Sequence, residues 1–195
     1  MPDGLALGFD TSAAHCAAAL LRGDAVLAQM SEAMTKGQAE RLFPLLEDLL
    51  AGAGVGWRDL DVIGVGIGPG NFTGIRISVA AARGLALSLG IPAVGVTATE
   101  AAAHGLPPPC RIVLHLRGDQ VVWQDFGGKD SQPRQAADGS LPPGPSVALP
   151  MGPPAAAIAR IALARSADPG PRPAPLYLRP ADAAPSRDAA PLILP

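Results

Sequence analysis

The chain has 195 residues, enough for one good core or one core with a small appendage. Its 15 basic and 17 acidic side chains leave a formal charge of −2, and residues 1–106 hold 6 basic against 10 acidic groups, so no surface able to grip nucleic acid unaided is expected. Two cysteines, Cys16 and Cys110, are too few for a disulfide framework or a zinc knuckle; with no basic signal-peptide start and no apolar run expected to span a bilayer, they point to the cytoplasm.

Of the 22 prolines, 18 fall after residue 106. Regular structure is therefore expected over residues 1–106 as one complete lobe, followed by a reduced, proline-rich second lobe and tail over 107–195. Leu5 to Asp10, Cys16 to Leu21 and Ala25 to Met30 read as three strands, the last two joined by the turn at Arg22-Gly23-Asp24. From Gln38 to Ala53 the period changes: Leu42, Leu45, Leu46, Leu49, Leu50 and Ala53 make a wide helical stripe opposed by Glu40, Arg41, Glu47 and Asp48. Pro44 either begins the regular part of that helix or kinks it.

Asp61 to Gly66 reads as a strand, Thr73 or Gly74 as the start of a helix to about Leu89, Pro92 to Val96 as a strand, and Thr97 to His104 as a helix with Thr97 capping over Glu100. The order βββαβαβα describes the ribonuclease-H-like lobe of the actin, sugar-kinase and Hsp70 type of α/β fold, with a mixed sheet. Arg111 to Leu116 and Val121 to Phe126 read as a hairpin, and Ala155 to Ala164 as a short helix of the reduced lobe.

Between strand and helix runs Gly66-Ile67-Gly68-Pro69-Gly70-Asn71-Phe72-Thr73-Gly74-Ile75-Arg76. Glycines there let backbone approach a ligand, the helix start favours negative charge, and Arg76 adds a fork for phosphate or carboxylate. The loop matches neither G-x-x-x-x-G-K-[ST] nor G-x-G-x-x-G, so an anion cradle and a ligand-free turn both stay open.

With Asp10-Thr11-Ser12 after the first strand, Gly68-Pro69-Gly70-Asn71-Phe72-Thr73-Gly74-Ile75-Arg76 in the loop, Gly95-Val96-Thr97 after the next strand and Tyr177-Leu178-Arg179 near the end, the chain resembles the TsaB family, also called YeaZ. The resemblance implies a non-catalytic subunit required for N6-threonylcarbamoyladenosine formation on tRNA. It implies dimerisation with TsaD, the metal-dependent transferase, with TsaE joining as an ATPase; ATP and metal would be used by those partners and no cofactor by this chain. It also implies only indirect contact with tRNA, and pairing of two copies when the chain is alone.

A TsaD-type metal site needs two histidines four apart on one helix face, and aligned through Gly95-Val96 those positions are Ala98 and Ala102. His15, His104 and His115 lack that spacing, so no metal is expected. Asp10, Thr11, Ser12, Gly68, Gly70, Asn71, Thr73, Gly74 and Arg76 remain phosphate-like loop residues, although Asn71 stands for the family's usual serine and Ser78 for a usual glycine. The expected partner surface takes Gln38, Leu42, Leu45, Leu46 and Leu49 from the first helix, and Ala80, Gly84 and Ser88 from the second. A small ATP-binding phosphotransferase of the actin-like class, using Asp10 and the glycine loop, is the alternative.

Overall fold

A computed structural model of the chain describes residues 3–116, 118–128 and 132–178. Strands β1 (Leu5–Asp10), β2 (His15–Arg22) and β3 (Ala25–Ala33) form an antiparallel meander, followed by helix α1 (Gln38–Gly52), strand β4 (Val62–Gly66), helix α2 (Phe72–Leu89), strand β5 (Ala93–Val96) and helix α3 (Ala98–Ala103). The sheet runs β3-β2-β1-β4-β5, with β4 parallel to β1 and β5 parallel to β4. This is the expected mixed-sheet, actin-like, ribonuclease-H-like arrangement.

Alternation along the strands assigns the two faces. Leu5, Leu7 and Phe9 of β1, Cys16, Ala18 and Leu20 of β2, and Ile63 and Val65 of β4 form one core with the leucine stripe of α1. Ala6, Ala17, Ala19, Leu21, Val62, Val94 and Val96 form the second core on the opposite face.

That second face is covered by helix α4 (Pro154–Ala164), whose Ala155, Ala156, Ile158, Ala159 and Ala162 are buried there. The helix expected in the reduced lobe thus completes the first one, and the boundary at residue 106 divides the sequence but not the packing. Its seat is a pair of in-register glycines, Gly8 on β1 and Gly64 on β4. A Cβ on Gly64 would lie 2.7 Å from the Ile158 carbonyl oxygen and 2.8 Å from the Ala162 Cβ, so glycine there is what lets the helix backbone lie on the sheet.

The later segment adds a three-stranded sheet, β6 (Cys110–His115), β7 (Gln120–Phe126) and β8 (Arg134–Ala137), in the order β6-β7-β8. β6 and β7 are the expected hairpin. β8, of sequence Arg-Gln-Ala-Ala, was not expected because it lacks the apolar alternation that marks a strand. Buried Arg111 meets Asp125 through two nitrogens, at 2.5 and 2.8 Å, and its guanidinium lies 4.6 Å from the Trp123 ring centre. Arg111 holds the Asp125 carboxyl below the usual carboxylate range. The contribution is therefore complete at neutral pH and is lost as acid protonates Asp125 below its unfolded value. Asp125→Asn is expected to flatten the acid limb of a melting-temperature-versus-pH curve, and an unchanged limb would show that the pair is not coupled to folding.

Two helix starts follow from local geometry. Pro44 lies inside α1, which begins at Gln38 after Gly37 in the left-handed region. α2 begins at Phe72 because Asn71 caps it, accepting from the Gly74 N–H at 2.9 Å. α2 also has the length and composition to cross a bilayer, contrary to the expectation that no apolar run would reach it. Here it lies against the sheet, with Gly74, Ile75, Ser78, Val79 and Ala82 buried. Thr97 caps α3 in the expected capping box with Glu100. Thr97→Ala is expected to cost about 1 kcal/mol, measured by denaturant unfolding.

Candidate functional site

The loops after β1 and β4 meet at one end of the sheet. Thr11 Oγ1 donates to the Gly74 carbonyl at 2.7 Å, and the Asn71 N–H donates to the Ser12 carbonyl at 2.6 Å. Ser12 Oγ donates to Asp10 Oδ2 at 3.0 Å, and His15 Nε2 lies 2.7 Å from the same oxygen. Asp10 is buried, and its Oδ1 has no hydrogen-bond partner among the described residues.

The glycines are needed for close packing between the two loops. A Cβ on Gly74 would overlap the carbonyl oxygen of Thr11, and one on Gly70 would overlap that of Ser12. The chain's own carbonyls occupy the side of the loop toward which a Cβ would project. Gly66 is equally constrained: a Cβ there would overlap Asp10 Oδ1, so that orphaned oxygen abuts the β4 backbone. Gly68, at φ +90°, admits the Ile75 side chain. Ser78, in place of a family glycine, donates to the Gly66 carbonyl at 3.1 Å and fastens α2 to β4. Gly70 and Gly74 are close-packed on the loop after β1, and the buried Asp10 Oδ1 is left without a hydrogen-bond partner among the described residues.

Asp10, Thr11, Ser12, Gly70, Asn71 and Gly74 are thus brought together, whereas Thr73 is exposed. Arg76 also leaves the group. Its guanidinium carbon lies 3.8 Å from the centre of the Phe72 ring, and its Nε donates to Tyr177 Oη at 2.9 Å. Tyr177 arrives on an extended segment fastened by the Leu176 N–H to the Ile67 carbonyl at 2.8 Å. Arg179 of the Tyr177-Leu178-Arg179 motif lies outside the described residues.

The expected partner surface is corrected in part. Leu42, Leu45, Leu46 and Leu49 are buried in the chain's own core, because one leucine stripe is what α1 needs to cover the sheet, and of the four Leu42 also lines the groove between α1 and α2. Gln38 is also buried, its Nε2 donating to the Met34 carbonyl at 3.1 Å. Ala80, Gly84 and Ser88 are exposed as expected. With Ala39, Phe43 and Ile77 they line an apolar groove of about 460 Å³ between α1 and α2. Phe43, 43 % exposed, belongs to the groove; its place off the leucine stripe was the signal that could have revealed it.

Ala98 and Ala102 lie on α3 and offer no ligating atoms. Among the described residues no three His, Cys, Asp or Glu side chains cluster as metal ligands would. Burial first, and the Glu32 charge second, push the Cys16 thiol up to about 11, which leaves it protonated and unreactive at neutral pH.

The five-stranded mixed sheet, with two helices on one face and α4 on the other, defines a protein of the actin-like, ribonuclease-H-like class. A family model described as TsaD, tRNA N6-adenosine threonylcarbamoyltransferase, matches residues 26–125. The chain is 34 % identical over 125 residues to TsaB of Escherichia coli, an alignment covering 62 % of this chain and 54 % of that protein. It is 32 % identical over 197 residues to an uncharacterized protein of Mycobacterium tuberculosis, covering 92 % of this chain and 93 % of that one. YeaZ from Pseudomonas aeruginosa superposes with a TM-score of 0.69 at 25 % identity, over 90 % of this chain and 100 % of that one. The chain belongs to the family that the model describes, in its TsaB (YeaZ) branch.

Proposed function

We propose that the chain is a non-catalytic subunit required for N6-threonylcarbamoyladenosine formation on tRNA, and that it acts by docking a TsaD-like transferase on the α1/α2 face. The observation that carries this reading is the apolar groove between α1 and α2. Its floor includes Ala80 and Gly84, small residues one turn apart that allow a partner helix to approach closely. The self-packed loops support the non-catalytic part, since Gly70 and Gly74 are used up on Ser12 and Thr11.

In this reading ATP and metal belong to the TsaD-like and TsaE-like partners, tRNA meets the assembly rather than this chain, and the work is cytoplasmic. Two copies would pair through the same groove when the transferase is absent. Reconstitution tests the proposal: a transferase mixture lacking this chain is expected to lose threonylcarbamoyladenosine formation and to regain it when the chain is added back. Full activity without it would refute the requirement.

The alternative, a small ATP-binding phosphotransferase, draws on the unpartnered Asp10 oxygen alone. Calorimetry of the isolated chain with magnesium and ATP is expected to show no heat. Micromolar binding would favour the alternative.

A further inference from the structure

Arg76 is ordered in a way that the fold does not explain. Arg41, Arg111 and Arg165 each meet a carboxylate, on Glu32, Asp125 and Glu100 respectively. Arg76 meets none among the described residues, yet two rings and a hydrogen bond hold it. The Phe72 and Tyr177 rings stand 4.9 Å apart, and the guanidinium lies over Phe72 with its Nε on the Tyr177 hydroxyl. The terminal nitrogens, at an exposed position, make no hydrogen bond among the described residues. A cation whose side-chain freedom has already been spent, and whose remaining donors form a fork, is preorganised for a two-oxygen acceptor.

The position of Arg76 says which acceptor. Phe72, Arg76, Ala80, Gly84 and Ser88 follow one another at four-residue steps along α2. Arg76 therefore stands one turn, about 6 Å, beyond Ala80 at the end of the groove. An apolar groove with the Phe43 ring in its lining, and an arginine one turn along the same helix, is the arrangement of a protein–protein interface. The near-neutral composition, with no dense basic surface, does not suit an RNA backbone. We infer that Arg76 is the charged anchor of the docking face and takes a carboxylate side chain on the protein seated in the α1/α2 groove. The inference rests on the docking proposed above.

The test measures binding of the full chain to the purified transferase of the same organism at low and high salt. Arg76→Ala is expected to bind about tenfold more weakly at low salt and to lose most of the salt dependence shown by the unaltered chain. Arg76→Lys should restore the salt dependence but only part of the affinity, because the charge returns without the fork. In double-mutant cycles, one acidic residue of the transferase should show coupling to Arg76. Affinity of Arg76→Ala equal to that of the unaltered chain at both salts, alongside lost binding by Gly84→Arg, would overturn the anchor and leave the groove standing. Weakened binding with unchanged salt dependence would overturn the carboxylate by making Arg76 structural. Loss of tRNA affinity with transferase affinity intact would overturn it in favour of a phosphate. Unaltered binding by Gly84→Arg would instead overturn the docking itself.

Discussion

Gly64→Val is expected to destabilise the protein by about 3 kcal/mol, the upper range for overpacking, because the new side chain would point into the backbone of α4. The clash falls on the Ile158 carbonyl and the Ala162 Cβ, neither of which can rotate away. Gly8, its register partner on β1, is held in the same fashion, since a Cβ there would lie 2.6 Å from the Ala159 backbone nitrogen. Relief requires lifting the helix, which would uncover Ala6, Val62, Val94 and Val96 together. Thermal unfolding should show a midpoint lowered by about 6–12 °C for a chain of this size. Gly52→Ala is the control, since a Cβ there meets nothing within 4 Å; no loss of stability is expected. A Gly64→Val variant melting with the unaltered protein would show that α4 is not seated on these glycines.

Gly74→Val is expected to be comparably damaging, about 3 kcal/mol, for a reason that bears directly on function. Gly74 takes part three times in the joint between the two loops. Its carbonyl accepts from Thr11 Oγ1, its N–H donates to Asn71, and its Cα faces the Thr11 carbonyl. A Cβ must separate the loops and, with them, the Asn71 cap that starts α2. If the loop were an open cradle, the same substitution would spare the fold and remove only a ligand. Denaturant unfolding therefore separates the two readings, and native-like stability of Gly74→Val would contradict the self-packed joint.

Much of the first lobe was legible because local and tertiary signals agree there. β1 carries large apolar residues toward α1 and small ones toward α4, and the turn at Arg22-Gly23-Asp24 marks the hairpin without ambiguity. The destination of Ala155–Ala164 was not legible, because an alanine-rich helix fits several surfaces. Its match is the Gly8–Gly64 pair, 56 residues apart in sequence, which only the β1–β4 register brings together.

At the loop, the glycines correctly announced close approach, but glycine is silent about what approaches. The Thr11 and Ser12 carbonyls are what approach Gly74 and Gly70, in a loop for which the sequence left an anion cradle and a ligand-free turn both open. The leucines of α1 posed the same ambiguity: periodicity marks a buried stripe and cannot say whether the burying surface is the chain's own sheet or another protein. Tyr177 was visible as a motif residue, but its contact with Arg76, across 101 positions, was not.

Sedimentation of the chain mixed with its transferase tests the docking account most directly, using Gly84→Arg. Position 84 is exposed, a Cβ there meets nothing within 4 Å, and arginine favours the helix over glycine, so the variant should melt no lower than the unaltered chain. The account predicts a heterodimer with the unaltered chain and two separate species with Gly84→Arg. A heterodimer that survives the substitution at unchanged affinity would contradict it.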